Sequence, residues 1–149
     1  MRELPRLYIA SPLFSEAERT FNKSLKTALS HVFSVYLPQE DGNLLVDLVS
    51  GGMNTETAMQ RIFREDVDAL NKSEVILVVM DGRAMDEGAC FELGLAFEKG
   101  KKCIGLQTDP RRLLPEGNNP MIMGALSKVF QSIDEIQAWA SGVFSQEAI

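Results

Sequence analysis

Residues 74–80 read Glu-Val-Ile-Leu-Val-Val-Met and form the clearest strand pattern in the chain. The apolar residues are continuous and do not alternate with polar ones, which indicates a strand buried on both faces, as in the middle of a parallel sheet. Four shorter apolar runs, at 7–10, 32–37, 102–107 and 129–130, predict further strands before and after it.

Stretches of helical periodicity separate these strands. The predicted helices cover 15–31, 55–71, 87–99 and 120–126, and a last helix is capped by Ser132 or Asp134 and reaches Trp139. Residues 39–53, which include three glycines, are predicted to form a long loop, of a kind that is usually a lid, a binding loop or disordered. This alternation predicts an α/β fold: a flavodoxin-like three-layer sandwich with a five-stranded parallel sheet of order 2-1-3-4-5.

The composition indicates one globular domain over residues 1–149 and narrows the classes of partner. The 21 Asp and Glu outnumber the 15 Lys and Arg, and this net charge of −6 argues against nucleic acid, whose binding depends on cations. No apolar run approaches the roughly 18 residues of a membrane span, and residues 1–6 show no secretory signal. Cys90 and Cys103 lack a CxxC pattern, so we expect reduced thiols in a cytoplasmic protein, without a disulfide or a metal site.

The predicted topology locates a ligand site before any motif is considered. In parallel sheets of this order, ligands bind beyond the carboxyl ends of strands 1 and 3, where the strand order reverses. The site is therefore expected to use residues 10–14 and 81–86, with Asp81 at the end of the third strand.

The helix after the third strand carries the most informative side chain. Residues 88–97 contain one charge, Glu92. One face of the helical wheel holds Cys90, Leu93, Gly94 and Phe97. Glu92 points away from that face and lies beside Gly88 and Ala96, which leave room for a ligand. A lone carboxylate in such surroundings is paired, neutralised or functional; the alternative is a solvated or structural glutamate.

Two further carboxylates each have a structural and a functional interpretation. Asp86 precedes the same helix and is either its N-cap or an acid of the site. Asp66 lies in the charged cluster 64–68, which is either a solvated helix face or part of the site. The chain has no P-loop, GxGxxG or GxSxG motif, and a structural role is the simpler interpretation of its single histidine, His31. The candidate reactive groups are therefore carboxylates and Tyr8, a set that suits glycosyl transfer.

Four motifs occur in an order that resembles the nucleoside 2-deoxyribosyltransferase family. They are Tyr-Ile-Ala-Ser-Pro-Leu-Phe at 8–14, Asp66, Asp-Glu-Gly-x-x-x-Glu-Leu-Gly at 86–94 and Asn-Pro-Met at 119–121. The resemblance runs from residue 7 to about 130, nearly the whole domain. It implies a flavodoxin-like fold and a reaction that needs neither a metal nor an organic cofactor.

The resemblance also implies roles for individual residues. In the family, the glutamate that matches Glu92 is the nucleophile, which attacks C1′ of a 2′-deoxynucleoside and forms a covalent deoxyribosyl-enzyme. The tyrosine that matches Tyr8 holds the nucleophile, and the acids that match Asp66 and Asp86 contact base and sugar and assist protonation of the departing base. Attack by a second base then gives net retention. The implied activity is base exchange in nucleoside salvage, with a 2′-deoxynucleoside and a free nucleobase as the small-molecule partners.

Further residues are candidates for substrate binding and for a shared site. The candidate substrate contacts are Ser11, Phe14, Gln39, Asp81, Gly88, Asn119 and Met121. Phe14 and Met121 offer apolar surface to the base, and Gln39, just after strand 2, is a candidate to hydrogen-bond a base edge. Plain packing is the alternative for Phe14, and a structural role is the alternative for Gln39. Asn119 and Met121 match an Asn-x-Met that, in the family, reaches a site from a neighbouring subunit. A homodimer, or an assembly of dimers, with shared active sites is therefore expected.

Two other functions are compatible with the same residues. An N-glycoside hydrolase of 2′-deoxynucleosides or their 5′-monophosphates would use water in place of the acceptor base, and Ser11 would then contact the phosphate. A non-catalytic nucleotide-sensing module would bind the ligand without turnover. Asn119 fits the transferase better, which favours a nucleoside substrate.

Overall fold

The protein is built on a parallel sheet. The computed structural model describes residues 3–112 and 114–146, and its strands are β1 (Arg6–Ala10), β2 (Ser34–Tyr36), β3 (Val75–Val79), β4 (Lys102–Leu106) and β5 (Lys128–Phe130). The five strands are ordered β2-β1-β3-β4-β5, and every neighbouring pair is parallel. The predicted fold class and strand order are confirmed.

Helices cover both faces of the sheet. Those within the described residues are α1 (Glu16–Leu29), α2 (Pro38–Asp41), α3 (Leu45–Ser50), α4 (Thr55–Asn71), α5 (Glu87–Glu98), α6 (Pro120–Ala125) and α7 (Ile133–Gln146). One hydrophobic core joins the sheet to α1 and α7, and a second core joins it to α4 and α5. The result is the predicted three-layer sandwich.

Strand β3 contributes to both cores. All five of its residues are buried. Val75, Leu77 and Val79 belong to the core with α1 and α7, whereas Ile76 and Val78 belong to the core with α4 and α5. This alternation is the two-sided burial that the apolar run at 74–80 predicts.

Residues 39–53 are not the long irregular loop that the sequence predicts. They include most of α2 and all of α3. Pro38 stands at the first turn of α2, where its missing N–H and fixed φ suit a helix start. Asp41 closes this turn, since its Oδ2 accepts the N–H of Leu37 over 2.7 Å. Both helices are too short to show a periodic apolar pattern, which explains the wrong prediction.

The side of α5 that packs on the sheet differs from the predicted apolar face. The buried residues of α5 are Ala89, Leu93 and Ala96. Leu93 is therefore buried as expected, but Phe97 is 56% exposed and Gly94 is also exposed. Because α5 is apolar on almost all sides, a helical wheel does not define which side meets the sheet. The observed orientation turns Glu92 toward Tyr8 in β1.

The last helix also departs from its predicted end. It continues past Trp139 to Gln146, and Ile136 and Ala140 are buried against the sheet. Among the residues that the structure describes, no helix has the length and apolar character needed to cross a membrane.

Candidate active site

A short hydrogen bond between Tyr8 and Glu92 forms the centre of the site. Tyr8 Oη donates to Glu92 Oε1 over 2.6 Å. Tyr8 is fully buried in β1, and Glu92 lies on α5, the helix that follows β3. Because β1 and β3 are paired in the sheet, the strand order brings together two residues that are 84 positions apart.

The surroundings of Glu92 disfavour its ionised form, but they still allow the carboxyl to ionise near neutral pH. The pKa of its carboxyl is raised to about 7, chiefly because burial disfavours the ionised form. The hydrogen bond from Tyr8 acts in the opposite direction, and the charges of Asp66 and Asp86 raise the pKa further. Burial and the proximity of Glu92 hold the pKa of Tyr8 far above its ordinary value, so its hydroxyl stays protonated and remains a donor. Glu92 is therefore partly ionised near neutral pH.

Asp66 is a second carboxyl with an altered proton affinity. It lies on α4, and burial is the main cause that raises its pKa to about 6. The hydroxyl of Tyr36 lies 3.5 Å from Asp66 Oδ1 and lowers this pKa, while the charge of Glu65 raises it. An aspartate of this kind still holds a proton in part of the molecules between pH 6 and 7.

Asp86 caps the helix that carries Glu92. Its Oδ2 accepts the N–H of Ala89 over 2.9 Å, as the N-cap interpretation predicts. Gly88 keeps the space beside it open, because a Cβ at position 88 would stand 3.1 Å from Asp86 Oδ2. The cap and the glycine together leave the first turn of α5 accessible next to Glu92.

Six of the predicted site residues share one cleft. A cavity of about 240 Å³ is lined by Ser11, Leu13, Phe14, Pro38, Asn43, Leu44, Leu45, Ile62, Asp66, Asp86, Gly88 and Glu92. The six are Ser11, Phe14, Asp66, Asp86, Gly88 and Glu92. Three carboxylates line this cleft, and none of the described residues that line it is Lys, Arg or His. In the same described ranges, no group of three or more His, Cys, Asp or Glu is arranged to hold a metal ion.

An apolar groove of about 440 Å³ adjoins this cleft and shares Glu92 and Asp66 with it. Apart from Leu45 of α3, its walls come from α4 and α5, and they include the contacting rings of Phe63 and Phe91, whose centroids are 6.0 Å apart. Both of these phenylalanines are 56% exposed, and Met59 beside them is 57% exposed. Large apolar side chains therefore stand uncovered next to the acidic cleft.

Gln39 and Asp81 lie outside the cleft, and their polar groups have other partners. The side chain of Gln39 accepts a hydrogen bond from Asn22 over 2.9 Å and donates one to the Arg19 carbonyl over 3.0 Å. Asp81 accepts bonds from the backbone and the hydroxyl of Thr108, at 2.7 and 2.6 Å. In this structure the hydrogen bonds of Gln39 connect it to α1, and those of Asp81 hold the loop after β4.

Asn119 and Met121 also lie away from the cleft of their own chain. Asn119 caps α6, where its Oδ1 accepts the N–H of Met121 over 2.9 Å. Met121 is 82% exposed, and both residues line a separate cavity with Met85 and Cys90.

The structure adds residues to those expected from the sequence. Tyr36 stands beside Tyr8 in the register of β1 and β2, and this parallel pairing is the signal by which it could have been found. Asn43 and Leu45 enter the cleft from the segment that was predicted to be a loop, and no local pattern marks either of them.

The fold and the cleft define a class of protein: a flavodoxin-like domain whose site offers a buried, hydrogen-bonded carboxylate and further acids for glycoside chemistry. The sequence model of the nucleoside 2-deoxyribosyltransferase family matches residues 7–140. The chain belongs to this family, and it is therefore an enzyme of the deoxyribosyltransferase or glycosidase type. A search of curated protein sequences finds no match.

Solved structures share the fold over nearly the whole chain. A conserved protein from Enterococcus faecalis V583 is 22% identical, with a TM-score of 0.74, and the match covers 93% of this chain and 98% of that one. A 2-deoxyribosyltransferase from Bacillus psychrosaccharolyticus is 20% identical, with a TM-score of 0.74 and coverage of 89% and 90%. A CMP N-glycosidase from Clostridium botulinum is 16% identical, with a TM-score of 0.59 and coverage of 90% and 98%. At these identities the likeness establishes the shared fold.

Removal of the Tyr8 hydroxyl tests the electrostatic description of Glu92. Because this hydroxyl lowers the pKa of Glu92, the substitution Tyr8→Phe is expected to raise it above about 7. The measurement is a ¹³C NMR titration of the glutamate carboxyl carbons, with Glu92→Gln to assign the resonance. A Glu92 that titrates near the ordinary glutamate value of about 4.3, or whose pKa falls in Tyr8→Phe, would contradict this description.

Proposed function

We propose that this protein transfers 2-deoxyribose between nucleobases through a covalent deoxyribosyl-Glu92 intermediate, as part of nucleoside salvage. The observation that carries the proposal is the 2.6 Å hydrogen bond from Tyr8 Oη to Glu92 Oε1 at the edge of the cleft. It orients one carboxylate oxygen and leaves the other, Oε2, to act as the nucleophile. Membership of the family supports this assignment.

In the first step, the ionised Glu92 attacks C1′ of a bound 2′-deoxynucleoside. An ester bond forms between Oε2 and C1′, and the bond between C1′ and the base nitrogen breaks with its electron pair on the base. Asp66 gives its proton to the departing base. The rise of its pKa to about 6 supports this role, because a larger fraction of the molecules then holds the proton near neutral pH than an ordinary aspartate would allow.

In the second step, an acceptor base attacks C1′ from the face that the first base left. The ester breaks, its electron pair returns to Glu92, and the proton lost by the acceptor base passes to Asp66. Two inversions give net retention at C1′. Glu92 and Asp66 then have their starting charges, so the cycle needs no further reactant.

The charge of the cleft supports a nucleoside rather than a nucleoside 5′-monophosphate as the substrate. Three carboxylates line the cleft, and no cationic side chain stands among the described residues that line it. A phosphate dianion would meet repulsion without a compensating partner. The second candidate function, N-glycoside hydrolysis, has support from the fold shared with the CMP N-glycosidase, and it would use water as the acceptor.

The positions of Asn119 and Met121 support a homodimer with shared sites. Both residues lie outside the cleft of their own chain, and Met121 presents 82% of its surface. The exposed apolar residues of α4 and α5 beside the cleft offer surface for a second copy. We propose that Asn119 and Met121 of one subunit complete the cleft of its neighbour.

Base exchange tests the proposed reaction. With thymidine or 2′-deoxyinosine and labelled adenine, the wild-type protein is expected to form labelled 2′-deoxyadenosine. Glu92→Gln should lower the rate by at least about 10³-fold, because the nucleophile is lost while the size of the side chain is kept. The measurement is chromatography of labelled products. Hydrolysis without exchange would favour the hydrolase, and binding without turnover would favour a nucleotide-sensing module.

Substrate charge gives a second test. The ratio kcat/KM for thymidine is expected to exceed that for thymidine 5′-monophosphate by at least about tenfold. The difference should shrink as the salt concentration rises, because the repulsion is electrostatic. Release of thymine from both substrates, followed by absorbance, gives the two values. Equal or better use of the monophosphate would overturn the argument from charge.

Subunit mixing tests the shared site. Glu92→Gln and Asn119→Ala homodimers are expected to be impaired, whereas their mixed dimers contain one cleft with both native residues. After subunit exchange, an equal mixture should recover about a quarter of the wild-type exchange rate, since half of the dimers are mixed and each has one intact cleft. The control is the Glu92→Gln/Asn119→Ala double variant mixed with wild type. Its mixed dimers have no intact cleft, so the wild-type homodimers alone should give about a quarter of the wild-type rate, against about half if each chain completed its own cleft. A lack of recovery would show that Asn119 serves its own chain or neither.

A further inference from the structure

Tyr36 contacts the tyrosine that holds the nucleophile. It is the last residue of β2 and the register partner of Tyr8 in β1. Since neighbouring residues in a parallel pair point to the same face, both rings lie on the side of the sheet that packs against α4 and α5. The ring centroids are 5.5 Å apart and the planes differ by 16°, which is a stacked arrangement. Tyr36 therefore supports the face of the Tyr8 ring that lies toward the sheet edge.

The other end of Tyr36 faces the candidate acid. Its hydroxyl oxygen lies 3.5 Å from Asp66 Oδ1, at the outer limit for a hydrogen bond, and catalytic contacts of this kind often shorten when substrate binds. Gly42 leaves room for this approach. A Cβ at position 42 would stand 2.8 Å from the Tyr36 hydroxyl and 3.4 Å from Asp66 Oδ1.

We propose that Tyr36 is a positioning residue that joins the two halves of the proposed reaction, with its ring supporting Tyr8 and its hydroxyl donating to the carboxylate of Asp66. This inference rests on the proposed function. When Asp66 gives up its proton to the base, the Tyr36 hydroxyl stabilises the carboxylate that forms. The same side chain thereby positions the nucleophile indirectly, through Tyr8, and stabilises the ionised acid directly.

Several ionisable groups surround the contact between Tyr36 and Asp66, and a titration must distinguish the pKa of Asp66 from theirs. Asp66 faces the hydroxyls of Tyr36 on β2 and Tyr8 on β1, and the carboxyls of Glu65 on its own helix and Glu92 on α5. The Tyr36 hydroxyl faces Asp66 and Glu65 on α4 and Asp41 on α2, and burial together with these charges holds its pKa above the ordinary value. Tyr36 is therefore a protonated donor at neutral pH, and loss of its hydroxyl removes the contact that lowers the pKa of Asp66.

The first experiment needs no substrate. The pKa of Asp66 is measured by ¹³C NMR of the aspartate carboxyl carbons in the wild type and in Tyr36→Phe, with Asp66→Asn to assign the resonance. We expect a rise in the pKa in Tyr36→Phe. Ser34→Ala, an exposed position on the same strand, serves as the control and should leave it unchanged. An unchanged Asp66 in a folded Tyr36→Phe protein would overturn the proposal.

The second experiment measures turnover. Tyr36→Phe keeps the stacked ring and is expected to lower kcat about tenfold with little change in KM, because a hydrogen bond to a charged group is lost. The alkaline limb of the pH profile should move to higher pH, where the less acidic Asp66 still holds its proton. In an Asp66→Asn background, Tyr36→Phe should have no further effect on that limb. An equal effect in both backgrounds would overturn the proposal.

The two readouts distinguish failure of this inference from failure of the proposed function. A shifted Asp66 in a protein that turns over no deoxynucleoside would support the contact and contradict the reaction. Normal base exchange with an unshifted Asp66 would support the reaction and contradict the role of Tyr36.

Discussion

The hydrogen bond between Tyr8 and Glu92 is the interaction on which the site depends. A carboxylate buried on an apolar helix is costly to ionise, and a short bond from a buried, protonated hydroxyl offsets part of that cost. Tyr8 is able to supply the bond because β1 lies beside β3 and α5 packs back over both strands. The strand order of the parallel sheet is therefore what allows Tyr8 to reach Glu92.

The two carboxyls of the site both have a pKa that burial raises, and they differ in their hydrogen-bond partners. Glu92 accepts a short bond from Tyr8, whereas Asp66 has the longer contact from Tyr36. Burial raises the pKa of both, to about 7 and about 6. Both carboxyls therefore exchange a proton close to neutral pH, so part of the molecules has Glu92 ionised while Asp66 holds its proton, the combination that the proposed reaction needs. The absence of a cation among the described lining residues suits an uncharged ligand.

Much of this architecture follows from local sequence patterns. The apolar run at 74–80 predicts the central strand, the place of Asp86 just before a helix makes it a candidate cap, and Glu92 is the one charge in residues 88–97. Other features depend on contacts between elements that are distant in the chain. Gln39 follows β2 as expected, but its side-chain oxygen and nitrogen are both hydrogen-bonded to residues of α1. The position of Tyr36 beside Tyr8 can be recognised only when the register of β1 and β2 is known.

The role of Glu92 as the nucleophile is tested most directly by intact-protein mass spectrometry. Samples are quenched after mixing with 2′-deoxyinosine or thymidine, without an acceptor base. With Glu92 as the nucleophile, the wild-type protein should carry an adduct with the mass of deoxyribose, located on Glu92 by peptide mapping. It should be absent from Glu92→Ala and be discharged by adenine. Base exchange that proceeds with no adduct, or with an adduct that persists in Glu92→Ala, would contradict the assignment of Glu92 as the nucleophile.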